Sequence, residues 1–173
     1  MKYLFVLLIT IPLITGCKKK LGQFNIDYDS EVVIPSTFGQ FIPFSLYTPE
    51  INTNSEFEFE SNNTKKKFVE SIYLEVLQLD IVSPQNETFS FLNDVEIYIS
   101  SQNVTERKVA YLNDIPSNVG KTIVCNLMNT DLQEYVKEDK FTLRIATTTD
   151  ETIPQDVTVN VYTNFRVKAK LLK

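Results

Sequence analysis

Val157-Thr158-Val159-Asn160-Val161-Tyr162-Thr163-Asn164-Phe165-Arg166-Val167-Lys168-Ala169-Lys170-Leu171 is the stretch on which the fold turns. Val157, Val159, Val161, Phe165, Val167, Ala169 and Leu171 are apolar and odd-numbered. Asp156, Thr158, Asn160, Asn164, Arg166, Lys168 and Lys170 are polar and even-numbered. Side chains of a strand alternate between two faces, so one face here is apolar and the other wet. A hairpin turn at Thr163-Asn164 would set Val161 opposite Arg166 and Val159 opposite Lys168. Apolar and charged side chains would then share a face, which strand register does not tolerate. The pattern predicts one continuous, bent strand. Val159, Val161, Phe165 and Val167 face its core side, and Asn160, Arg166 and Lys168 face solvent. Its length predicts a strand that crosses between two sheets.

The same period recurs upstream. Phe24, Ile26 and Tyr28 point one way and Asn25, Asp27 and Asp29 the other, with a phase slip expected at Val32-Val33-Ile34 before Pro35. Residues 35–50 hold Pro35, Pro43 and Pro49 among aromatics and read as irregular extended chain along a sheet edge. The polar residues 51–67 read as a loop. Residues 68–82 fit two templates. Val69, Ile72, Val76 and Leu79 would share a helix face; Ile72, Leu74 and Val76, then Leu77, Leu79 and Ile81, fit a strand with one slip. Lysines at the start oppose a helix dipole and β-branched residues abound, so a bulged central strand is expected. Further strands are read at 95–99, 106–112, 123–127 and 141–145. Thr130-Asp131-Leu132-Gln133 has the form of a capping box, which predicts one short helix over 131–137. The class is therefore all-β: an antiparallel β-sandwich, immunoglobulin-like or jelly-roll, with one short helix.

The N-terminus has a different character. Met1-Lys2 is followed by an uncharged, mostly apolar run from Tyr3 to Gly16, too short to span a bilayer. Leu13-Ile14-Thr15-Gly16-Cys17 closes it, with small residues before a cysteine, as at the cleavage site of a secretory signal. This stretch resembles the lipobox of bacterial lipoproteins, with Ile14 where Leu is commonest. The resemblance covers residues 1–17. It implies cleavage before Cys17 and acylation of that residue on sulfur and nitrogen, anchoring the chain to a membrane. It further implies the outer membrane over the inner one, because Lys18 stands where Asp favours inner-membrane retention. Asp27 is the first acid after Cys17, so no acidic surface-export cluster follows it, and the periplasmic face is expected. Residues 1–16 then form the signal peptide, 17–22 a lipidated tether and 23–173 a single domain. Lys18, Lys19 and Lys20 in the tether would lie near anionic headgroups.

Composition narrows the chemistry. Loss of residues 1–16 leaves 157 residues, enough for one ordinary domain that buries about 68–70% of its unfolded surface without disulfides. Against 22 acids stand 16 remaining bases, a net charge of −6, which argues against nucleic acid as a partner. Histidine is absent, and with it the commonest general base and zinc ligand. Tryptophan is absent, which disfavours a sugar-stacking platform. Gly16, Gly22, Gly39 and Gly120 assemble no phosphate-cradling loop. No cofactor is implied.

Several groups could still carry chemistry. Asp27, Asp29 and Glu31 share a strand face as potential calcium donors, but alternate residues stand about 7 Å apart and a solvated face is the simpler reading. Glu56, Glu58 and Glu60 alternate with Phe57 and Phe59 in the same way. Asp114, Glu138-Asp139 and Asp150-Glu151 sit at loop ends and could meet at one end of the sandwich. Cys125 lacks a histidine to activate it and shares a face with Ile123 and Leu127, as a buried thiol would. Phe38, Phe41, Phe44 and Tyr47 could line a partner groove or pin an irregular segment to the core. These features point to a non-catalytic envelope lipoprotein, a binding or assembly module with an envelope protein as partner. A carboxylate-based, glycosidase-like hydrolase and a calcium- or sugar-binding adhesin are the alternatives.

Overall fold

A computed structural model of the chain describes residues 21–172. The expected signal peptide, Cys17 and Lys18–Lys20 lie outside the described residues. Two antiparallel sheets pack face to face around one continuous apolar core. Strands β1 (Leu21–Ile34), β4 (Val69–Ser83), β7 (Thr122–Val124) and β10 (Val157–Lys170) form the first, in the order β1-β10-β4-β7. The second runs β2 (Pro43–Tyr47), β9 (Lys140–Thr149), β5 (Leu92–Ser101), β6 (Val104–Leu112) and β8 (Asn126–Leu127), with β3 (Ile51–Asn52) also paired to β9. The expected all-β sandwich is the observed fold.

β10 is the single unbroken strand that its period demands. Val159, Val161, Phe165 and Val167 are buried, Arg166 is exposed, and Asn160 and Lys168 are half-buried on the outer face. It does not change sheets. It pairs with β1 on one side and β4 on the other along its length. Asn164 points outward with the other even residues, yet it is buried under its hydrogen bonds to Asn25 and Asp27.

β4 is the bulged central strand. Its register against β10 shifts three times, leaving Glu70, Glu75 and Val82 without an opposite residue. Each bulge resets the phase, which is why Val69, then Ile72 and Leu74, then Leu77, Leu79 and Ile81 all reach the core. Two of the three unpaired residues are glutamates. They meet the outward bases of β10, Glu70 with Lys168 at 3.9 Å and Lys170 at 3.3 Å, Glu75 with Arg166 at 3.0 Å.

Four expectations are corrected. β1 keeps one phase over its whole length: Ser30 takes the inward place between Tyr28 and Val32, and Val33 faces out. The tether was expected to reach residue 22, but Leu21 and Gly22 already pair with Lys170 and Ala169. Residues 51–67 are not all loop; Ser55–Ser61 forms helix α1, whose buried apolar residue is Phe59, and Lys66–Phe68 makes a 3-10 turn. The second helix, α2, is Gln133–Val136, shorter than expected. Its first turn is closed by the Asp131 carboxylate, which accepts the Gln133 amide at 3.1 Å, and not by Thr130.

The crossing between sheets falls at Cys125. β7 pairs with β4 in the first sheet, β8 pairs with β6 in the second, and the Cys125 amide donates to the Leu77 carbonyl at 2.9 Å between them.

Candidate functional site

Residues 35–47 connect the edge strand of one sheet to the edge strand of the other. The aromatics of this segment divide into two pairs. Phe38 and Phe44 stack with ring centroids 3.9 Å apart and pack against the core, pinning the segment down. Phe41 and Tyr47 stand in water, 72% and 62% exposed, beside Ile42 at 59%. Phe41 has φ 58°, a left-handed backbone conformation that costs a bulky residue about 1–3 kcal/mol. Its amide donates to the Thr149 carbonyl at 2.7 Å, and Thr149 Oγ1 donates to the Gly39 carbonyl at 3.0 Å. The end of β9 thus clamps the turn on both sides of Gln40 and presents Phe41 outward. From there Pro43, Ser45 and Tyr47 continue outward along β2, a strand that pairs with β9 alone.

The loop acids do not gather at one end. Glu138-Asp139 precedes β9 and Asp150-Glu151 follows it, so the length of that strand, about 33 Å, separates them. Asp114 follows β6, near Asp150-Glu151: Ile115 N–H donates to the Asn93 carbonyl, and Asp150 N–H to the Phe91 carbonyl. Glu138 and Asp139 instead meet Glu50, Ser100, Ser101, Gln102 and Lys140 around a cleft of about 580 Å³. Lys140 donates to Glu50 at 2.7 Å, an ion pair that holds its ammonium above the usual range. The carboxyls stand in water, with the Asp139 side chain 97% exposed and Glu50 66%. A glycosidase needs one carboxyl held protonated by withdrawal from solvent. These two are not so withdrawn.

Two of the three strand-face acids of β1 are spoken for, and Glu31 is exposed. Asp27 accepts from the Asn164 amide and the Tyr162 hydroxyl, and Asp29 from the Asn160 amide at 2.9 Å. Glu56 and Glu60 lie on α1, not on a strand, across a shallow hollow from Lys65, Lys66 and Lys67. Among the described residues, no three acids, histidines or cysteines are placed to hold a metal ion. Cys125 is buried, and burial pushes its thiol up to about 12, far from a nucleophile's range.

Pattern-reading missed a polar network on the outer face of the second sheet. Arg144 donates to both oxygens of Glu106, at 2.7 and 2.6 Å, with its guanidinium 4.0 Å from the Tyr98 ring centre. Glu96 accepts from Lys108 at 2.5 Å and from the Tyr98 hydroxyl at 2.6 Å, which together keep its carboxyl below the usual range. The available signal was charge alternation on β5, β6 and β9; what it lacked was the pairing that brings them together. Every charge in this network has a partner, so it braces the sheet face.

No protein-family model matches the chain, and no curated protein matches it. Some solved structures resemble it weakly. The decameric BFDV capsid protein is 9% identical, with 87% of this chain and 99% of that one covered, at a TM-score of 0.42. The turnip yellow mosaic virus structure is 16% identical, with 99% and 93% covered, at 0.32. That of desmodium yellow mottle tymovirus is 7% identical, with 100% and 97% covered, at 0.30. A likeness this slight carries no argument about this chain.

Proposed function

We propose that the protein is a non-catalytic binding module of the cell envelope, tethered through lipid on Cys17, whose partner protein docks on the strip from Phe41 to Tyr47. The observation that carries this reading is Phe41. A strained backbone and two hydrogen bonds with Thr149 of β9 hold an aromatic ring out in water. Strain maintained by its surroundings, at an exposed aromatic beside a free sheet edge, is the mark of a docking surface. The resemblance of Leu13–Cys17 to a lipobox supports the tether, the outer membrane as its site and the periplasmic side as the domain's compartment.

Two measurements test the two halves. Cys17→Ala should leave an uncut precursor that takes up no labelled fatty acid; a labelled mutant would refute the lipid site. A photo-crosslinking residue in place of Tyr47 should yield one discrete adduct in living cells, and Phe41→Ser should abolish it without altering the melting temperature. An adduct equally strong from position 158, on the opposite sheet, would refute the docking strip.

A further inference from the structure

We propose that the partner on the Phe41–Tyr47 strip is a second copy of this chain, joined edge to edge so that two β2 strands run antiparallel about a two-fold axis at Ser45. This rests on the docking reading of that strip. An edge strand offers unpaired N–H and C=O groups to any other strand, and folds guard such edges with charges, bulges, proline or brevity. Among the described strands, the other edges are well guarded. β1 carries Asp27, Asp29 and Glu31, all exposed. β6 pairs with β8 only at Ala110 and Tyr111, and it carries Glu106, Arg107 and Lys108 and two shifts of register against β5. β7 and β8 are three and two residues long. β2 has Pro43 alone. Its register against β9 is unbroken, and no charged residue occurs from Val32 to Pro49 in a chain whose residues are 23% charged.

The backbone of β2 is turned to receive a strand. Thr48 N–H donates to the Leu143 carbonyl at 2.9 Å. Bonded pairs alternate along an antiparallel ladder, so Phe44 and Leu46 bond to β9 as Thr48 does, and Pro43, Ser45 and Tyr47 aim their backbone groups at the free edge. Pro43 suits that place because it has no N–H to leave unpaired. The inward side chains Phe44 and Leu46 are only half-buried, whereas Phe141, Leu143 and Ile145 on the neighbouring β9 are buried. A strand added at this edge covers both.

The strip matches itself, which selects a second copy as its occupant. In a pairing centred on Ser45, that residue exchanges both backbone hydrogen bonds with its counterpart, and each Tyr47 N–H reaches the other copy's Pro43 carbonyl. Every outward N–H of β2 then has an acceptor. On the outer face Pro43 meets the other copy's Tyr47 and serine meets serine; on the inner face Phe44 meets the other copy's Leu46. No like charges oppose each other, a condition that matters between two copies of an acidic chain. The same operation fails on β1, where a pairing centred on Asp27 or Tyr28 sets Asp27 against Asp27 or against Asp29. Two-fold pairing also consumes the edge, so association stops at two copies.

The test uses the full chain in native membranes under a mild oxidant. Ser45→Cys sets two cysteines with Cα atoms about 5.5 Å apart, within disulfide range, whereas Pro43 and Tyr47 each lie about 13 Å from their own counterparts. Ser45→Cys should form a disulfide-linked dimer of this chain several-fold more than Pro43→Cys or Tyr47→Cys alone, and those last two variants, expressed together, should link to each other. Ser45→Lys, which places two like charges on the axis, should abolish the self-adduct of a photo-crosslinker at position 47 and leave the melting temperature unchanged. Equal linking from all three positions, or none from Ser45→Cys, overturns the two-fold pairing. The crosslinker separates this from the docking reading beneath it. An adduct with a different protein leaves the strip standing and sinks the second copy; no adduct at all sinks both.

Discussion

The Asp131 carboxylate accepts the backbone amide of Ile72 at 3.0 Å with the same oxygen that accepts the Gln133 amide at 3.1 Å. One side chain both closes the first turn of α2 and fastens that helix to β4, beside the bulge at Glu70. Asp131→Ala should therefore lower stability by about 1–2 kcal/mol, the scale of a lost helix cap. Thr130→Ala should change it by less than about 0.5 kcal/mol. Urea midpoints of the two variants check this, and equal effects would return the cap to Thr130.

Phe165 lies at the centre of the core, its ring centre 5.9 Å from that of Tyr28 and 6.0 Å from that of Phe141. Phe165→Ala should cost about 3–5 kcal/mol in urea denaturation. Lys168→Ala, losing one exposed ion pair with Glu70, should cost no more than about 0.5 kcal/mol.

Tyr28 donates its buried hydroxyl to the Thr53 carbonyl at 2.9 Å, tying β1 to the turn before α1. Tyr28→Phe leaves that carbonyl, on a fully buried residue, without its donor and should cost about 1–3 kcal/mol. Hydrogen exchange should quicken in α1 before it does in β5.

Alkaline pH should destabilise the protein through Cys125 and Tyr28. Burial raises the thiol from an ordinary value of 9.0 to about 12, and burial followed by the nearby Glu58 charge raises the phenol well above its usual range. Between the unfolded and folded values the folded chain keeps a proton that the unfolded chain has lost, so stability falls as pH rises. The thiol's contribution is complete below about pH 9 and gone above about pH 12. Cys125→Ala should flatten the fall of the urea midpoint across that window. A thiol reagent should modify the wild-type protein at neutral pH only after denaturation.

Much of the sandwich was readable from period alone, and its misreadings share a physical origin. In β10 the odd-even division holds along the strand except at Thr163 and Asn164, both polar and buried, because the strand is paired on both sides and buried on one face. Ile123, Cys125 and Leu127 alternate just as regularly, yet the chain changes sheets between them. An inward side chain sees the same core from either sheet, so period 2 survives a crossover and cannot report it. That is also why β10 could be taken for the crossing strand. α1 escaped notice because seven residues with one buried apolar side chain, Phe59, leave no 3.6 period, while Glu56-Phe57-Glu58-Phe59-Glu60 mimics a strand. In the candidate site the four aromatics were legible as a group. Their division was not, because it depends on the Phe41 backbone turning left-handed under hydrogen bonds from a strand 108 residues away in sequence.

The unbroken ladder between β1 and β10 has a mechanical consequence. A pull on the chain N-terminal to the domain enters at Leu21, the first of 14 paired residues ending at Ile34↔Val157. Force along the strand axis loads the whole ladder in shear, and β10 passes the load to β4 behind it. Force across the sheet peels the pairs one at a time, starting with Leu21↔Lys170. The domain thus has two strengths, chosen by the direction of tension, and its lifetime under load follows the unfolding rate along each direction in place of its equilibrium stability.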